Sequence, residues 1–178
     1  ETIKIDQSVN QDEVDLDRMC ISILKVHRLE EPDLRMVTVA MKMVTDLERI
    51  GDLAVNICER AIQLSNERPL AQYEKIPRMG IVVREMVRDA IDAFIEQDEE
   101  AARSVLERDD EVDDLYEIVF EELLELMTSD TANVHRGIHH QSAAKYLERI
   151  GDHSTNLAEQ VIFMLGGTDI RHPKLWRK

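Results

Sequence analysis

The hexapeptide Leu-Glu-Arg-Ile-Gly-Asp occurs twice, at 47–52 and again at 147–152. The agreement runs on through Asn56 and Asn156 to Glu59 and Glu159. Upstream, Asp12-Glu13-Val14-Asp15 lines up with Asp110-Glu111-Val112-Asp113. A match of this length across two flanks is an internal duplication, so both copies must fold into the same supersecondary unit. Any element assigned in one half is thereby constrained by the other.

Apolar periodicity makes that unit helical. A first helix is predicted over residues 1–28, with Leu16, Met19, Cys20, Ile23 and Val26 at three-and-four spacing. Pro32, a good first-turn residue, opens a second that runs to Asn66 with Val37, Met41, Val44, Leu47, Ala54 and Ile62 on one face. The segment 67–77 carries two prolines and reads as the linker between halves. A third helix follows over 77–97, on Met79, Val83, Met86, Val87, Ala90 and Phe94. A fourth spans 99–127, on Val112, Leu115, Val119, Leu123 and Leu126. A fifth begins after the break at 129–133 and ends at Leu165, capped by Gly166 and Gly167. Helices one and two correspond to four and five, and helix three has no partner in the first half. The expected fold is all-α, with two pseudo-symmetric three-helix bundles whose first N-terminal helix is absent from this chain. The bundles fall at 1–68 and 77–166, with a tail at 167–178.

Composition narrows the function classes. The net charge is -15, which repels phosphate backbones and anionic lipid and argues against nucleic acid as a partner. Cys20 and Cys58 have no metal-site spacing and read as buried free thiols. No apolar run is long enough for a membrane span and no signal peptide is visible, so the expected location is cytoplasmic. The tail 171–178 is basic with an isolated Trp176, which reads as a frayed terminus or a docking segment.

The repeated hexapeptide carries the chemistry. Glu48 and Asp52 are one helical turn apart and face the same way, as do Glu148 and Asp152. Like charges at this spacing cost a few tenths of a kcal/mol (about 0.2–0.5) in an isolated helix. Glu59 falls close to the same direction. Gly51 and Gly151 stand in mid-helix, where Gly costs about 0.5–1 kcal/mol against Ala, so each is expected to admit another backbone. Aligned carboxylates on one helix make a cation-binding strip when a second helix supplies partners. Asp15, Asp109 and Asp113 are those partners, and Gln11 replaces the acid that would pair with Asp15. Arg49 and Arg149 point a quarter turn aside and read as interhelical ion-pair donors. The plain alternative is a solvated acidic face, on which one such pair would mean nothing. Carboxylates leave the metal open among Fe, Mn, Mg, Zn and Ca.

Other catalytic patterns are missing. The sequence contains no HExxH, no phosphate-binding Gly-rich loop and no nucleophile elbow. No Glu has a His three residues later, which disfavours di-iron oxidase chemistry. His139 and His140 are adjacent and diverge, and His153 has no counterpart at Leu53; each reads as a surface or interhelical hydrogen-bonding residue. The methionines read as core. A carboxylate-bridged metalloenzyme and a purely structural helical module are the competing readings.

The doubled hexapeptide, its Asn and Glu continuations and the aspartate-rich preceding helices resemble the PhoU family over nearly the whole chain. The resemblance implies paired three-helix bundles in a homodimer and a cytoplasmic regulator rather than an enzyme. It implies action between a phosphate ABC transporter, through its ATPase subunit, and a sensor histidine kinase, and contact with the membrane only through those partners. Some members bind divalent or trivalent ions (Fe, Zn, Mn or Mg) in multinuclear clusters on E(D)xxxD motifs. Carried over, these motifs fall on Glu48 and Asp52, Glu148 and Asp152, and Asp109 and Asp113, with Asp15 keeping half of the fourth.

Overall fold

The computed structural model describes residues 2–70 and 74–170, with side chains from residue 5 onward except residue 6. The basic segment 171–178 lies outside the described residues. Six α-helices make up the fold: α1 (Thr2–Val26), α2 (Glu31–Leu64), α3 (Lys75–Glu96), α4 (Glu99–Glu107), α5 (Asp109–Ser129) and α6 (Val134–Gly166). A single 3₁₀ turn at Thr131–Asn133 leads into α6. No strand occurs among the described residues, and no helix among them is long and apolar enough to cross a membrane.

Local chemistry sets the ends. Pro32 sits in the first turn of α2, flanked by Glu31 and Asp33, where acids complement the helix dipole. Gln97 adopts the left-handed conformation after α3. Asp98 then caps α4 by accepting hydrogen bonds from Glu100 N (2.9 Å) and Ala101 N (3.0 Å). At the end of α6, Gly167 has φ 70° and its N–H donates to Phe163 O at 2.8 Å.

The helix expected over 99–127 is instead two helices, divided at Arg108. There the backbone N–H bonds back to Val105 O, and the carbonyl accepts from Glu111 N at 3.2 Å, a tightened turn. The Arg108 guanidinium pairs with Asp89 of α3. The break starts a new helix at Asp109-Asp110-Glu111, placing three acids where the dipole favours them.

Helix α6 packs against α2, α3, α4 and α5, whereas α1 packs on α2. The core joins Val39, Met43 and Leu53 of α2 to Met79 and Met86 of α3, Val112 and Val119 of α5, and Leu157 and Val161 of α6. The α1 stripe is largely unfulfilled: Cys20 is buried, but Leu16, Met19 and Val26 are exposed, because among the described residues α1 packs on α2 alone. Ile62 at the end of α2 is exposed too. Both cysteines are free thiols, Cys20 buried and Cys58 half-buried. An apolar groove of about 630 Å³ separates α2 from α3, with Leu147 and Ile150 of α6 among its walls.

Polar ties lock α2 to α6. Arg35 Nε donates to Met164 O at 3.2 Å. His153 Nδ1 lies 2.8 Å from Asp46 Oδ1, which also accepts from Asn156 Nδ2 at 3.4 Å. Met86 has no exposed surface. Met86→Ala is therefore expected to lower stability by about 2–5 kcal/mol, read from urea unfolding followed by circular dichroism. A loss of well under about 1 kcal/mol would mean that the core closes around the void.

Candidate metal centre

The second copy of the hexapeptide gathers acids from two helices. Asp109 and Asp113 occupy the first two turns of α5, and Glu148 and Asp152 lie one turn apart on α6. Burial, and then the charges of Asp113, Asp152, Asp110 and Glu148, push the Asp109 carboxyl up to about 6. Burial and the Glu148 charge likewise raise Asp113 and Asp152. Mutual repulsion of this kind requires the four side chains to share one field.

Glu148 is the pivot of the group. Its side chain is only 14 % exposed, and Oε1 accepts a hydrogen bond from Lys145 Nζ at 2.6 Å. Oε2 is buried with no hydrogen-bond partner. Lys145, raised mainly by its hydrogen bond to Glu148, also sits 5.2 Å over the Tyr116 ring. Its charge favours the ionised forms of Asp113 and Asp152, against the surrounding acids.

Gly151 makes room for the cluster. A Cβ there would stand 3.3 Å from Asp109 Oδ1 and 3.4 Å from Val112 Cγ1. The close neighbours are thus side chains of α5, not the second backbone that a mid-helix glycine led us to expect. The absent methyl lets a carboxylate lie against α6.

The first copy is built differently. Arg49 reaches Glu48 Oε2 at 3.5 Å and Asp52 Oδ2 at 3.6 Å, so it neutralises its own stripe rather than pairing across helices. Its counterpart Arg149 is exposed. Glu59 pairs with the adjacent Arg60 at 3.6 Å. Asp15 is 57 % exposed, accepts from Gln11 Nε2 at 3.0 Å, and pairs with Arg18 at 3.2 Å, all within α1. The two halves share a motif but not an electrostatic state.

His153 bonds Asp46 of α2, the interhelical role expected of it, and His140 Nδ1 lies 2.8 Å from Arg136 O within α6. Among the described residues no three His, Cys, Asp or Glu side chains converge at metal-ligand spacing. The C-terminal set nevertheless fits an oxygen-preferring cation by donor type. It offers an orphaned buried carboxylate oxygen and three carboxyls held high by burial and like charge. The N-terminal set fits poorly, since Arg49 already occupies it. Sequence reasoning passed over Lys145, whose signal was a Lys three residues before Glu148 where the first half has Thr45. It also passed over Asp46, which carries no local pattern.

The PhoU domain family profile matches residues 1–61 and 76–161. A phosphate-specific transport system accessory protein PhoU homolog of Aquifex aeolicus is 42% identical over 178 residues, covering 100% of this chain and 80% of the relative. The Pseudomonas putida protein of the same name is 41% identical over 175 residues, covering 98% and 68% respectively. The crystal structure of PhoU from Pseudomonas aeruginosa superposes with a TM-score of 0.91 at 39% identity, over 94% of this chain and 80% of that one. The phosphate transport system regulatory protein PhoU of Streptococcus pneumoniae gives 0.85 at 27% identity, over 95% and 79%. All are named as accessory or regulatory proteins, not enzymes.

A carboxyl raised in the folded state binds its proton more tightly there than in the unfolded chain. Its penalty is therefore absent below the ordinary value of 3.8, and it grows until pH passes about 6. In metal-free protein, Asp109→Asn is expected to increase stability at pH 7 and to have little effect near pH 4, as measured by urea unfolding in chelator. Equal effects at both pH values would show that Asp109 titrates normally.

Proposed function

The chain belongs to the PhoU family, and from that premise we propose that it regulates phosphate uptake and phosphate-starvation signalling, with a metal-loaded C-terminal acid cluster. In this reading it acts in the cytoplasm between the ATPase subunit of a phosphate ABC transporter and a sensor histidine kinase, as a homodimer. The family match over both halves supports the regulatory role, and the relatives' names tie that role to phosphate transport. The observation that carries the metal reading is the mutual repulsion of Asp109, Asp113, Glu148 and Asp152 across two helices, beside one unpartnered buried oxygen of Glu148.

A cation there supplies positive charge that cancels the repulsion raising the three aspartates. Asp109 and Asp113 would hold it from α5, and Glu148 and Asp152 from α6. Binding would displace Lys145 from Glu148. Fe, Mn, Mg and Zn all accept carboxylate oxygen, and the strip suits the harder ions best. A metalloenzyme built on the same carboxylates has no nucleophile or His ligand set among the described residues to support it, and the family consists of regulators.

Protein purified without chelator is expected to carry metal, sharply reduced by Glu148→Ala with Asp152→Ala and measured by elemental analysis. Metal-free protein with an intact fold would remove the metal part alone. A pull-down from cells grown with ample phosphate is expected to retrieve the transporter ATPase subunit and the kinase. Recovery of neither, from cells that express both, would overturn the regulatory role.

A further inference from the structure

At the start of α6, away from the acid strip, His135 and His139 lie one turn apart on one face. Their Nε2 atoms are 3.3 Å apart, with the ring centroids at 4.6 Å and the planes at 74°. That distance is long for a hydrogen bond, so the pair gains little from one. It matches a different geometry. Two nitrogens held at about 2.05 Å from a tetrahedral ion stand roughly 3.3 Å from each other.

The surroundings follow the same pattern. Glu67, just past α2, places Oε1 3.9 Å from His135 Nδ1, the ring nitrogen that faces away from the pair. At that distance Glu67 makes no hydrogen bond to the ring, but it places a carboxylate charge on the side of His135 away from the pair. Arg136 Nη1 donates to Arg68 O at 2.9 Å and fixes the Glu67 segment against α6. Burial, then the His135 and Arg60 charges, hold His139 below the ordinary imidazole range. Its Nδ1 is buried with no partner, which makes it the weaker ligand of the two.

We propose that His135 and His139, with Glu67 behind His135, form a second metal site that takes a borderline first-row divalent cation of the Zn(II) class. Imidazole nitrogen selects Zn, Ni and Cu, whereas the carboxylate strip selects harder ions, so the two sites differ in chemistry. No third ligand converges on the pair among the described residues. The remaining positions of the ion face solvent beside the 66 % exposed His135 side chain and are filled by water.

The test uses the full chain, stripped of metal and titrated with Zn(II) at pH 7.5. Binding is followed by calorimetry and by long-range ¹H–¹⁵N spectra of the imidazoles. Zn(II) is expected to shift the Nε2 resonances of His135 and His139 while leaving His27 in place. His135→Ala and His139→Gln, each with unchanged far-UV circular dichroism, are expected to weaken this binding by about tenfold or more. Glu67→Gln should weaken it by a smaller factor. Zn(II) shifts at neither histidine, or the same isotherm in both His variants as in the wild type, would overturn the site. Neither outcome bears on the carboxylate strip, whose ligands remain intact in every variant.

Discussion

The tight seating of α5 on α6 is the constraint from which the rest of the molecule follows. Along α6 the buried face repeatedly uses small residues, among them Gly137, Ala144, Gly151, Ser154 and Ala158. At Gly137 an added Cβ would overlap Met127 Cγ at 2.5 Å, and at Gly151 it would press on Asp109 Oδ1 at 3.3 Å. Both neighbours belong to α5. One helix therefore lies close against another at two places along its length, with a methionine at one place and a carboxylate at the other. Close packing of this kind has no slack, so what each contact holds is fixed by the backbone rather than chosen by side-chain rotamers.

The electrostatics of the acid cluster are a consequence. Ordinarily, like charges on neighbouring helices splay apart into water. Here the apolar contacts around them, Val112 and Val119 on α5 and Leu147 and Ile150 on α6, hold the helices in place. The carboxylates are thereby kept within each other's field and lifted above their usual range. A cluster so strained is poised to gain from any cation that enters, and Lys145 is a partial, removable substitute for one. In the first half Arg49 ion-pairs with the acids of the same motif.

The helices and their ends were legible because they depend on local chemistry. Pro32, Asp98 and Gly167 mark boundaries that need only a few neighbouring residues to act. Within the third helix, Met79, Val83, Met86 and Ala90 predicted the buried face correctly, since α3 meets partners along its length. The α1 stripe did not, because burial needs a neighbour, and α1 has only α2 beside it. The division at Arg108 was also hidden. Five charged residues, Glu107 to Glu111, interrupt the apolar period there, but the ion pair that accompanies the break comes from Asp89, distant in sequence. The His135 and His139 spacing stood in the sequence throughout, but what gives it meaning is Glu67 across the fold.

What the sequence determined by itself was the all-helical class, the duplication, and the acids that the two copies share. These rest on a 3.6-residue period and on residue identity, both properties of a single helix. Which copy becomes a charged cluster was decided only in the tertiary structure. Arg49 and Arg149 occupy equivalent positions and both are exposed, yet among the described residues only Arg49 ion-pairs with the acids of its own hexapeptide. Gly51 and Gly151 are the same residue, but at Gly151 α5 brings an aspartate against the backbone. Coulomb repulsion and desolvation depend on distances between helices, and those distances are set by packing that no local pattern encodes.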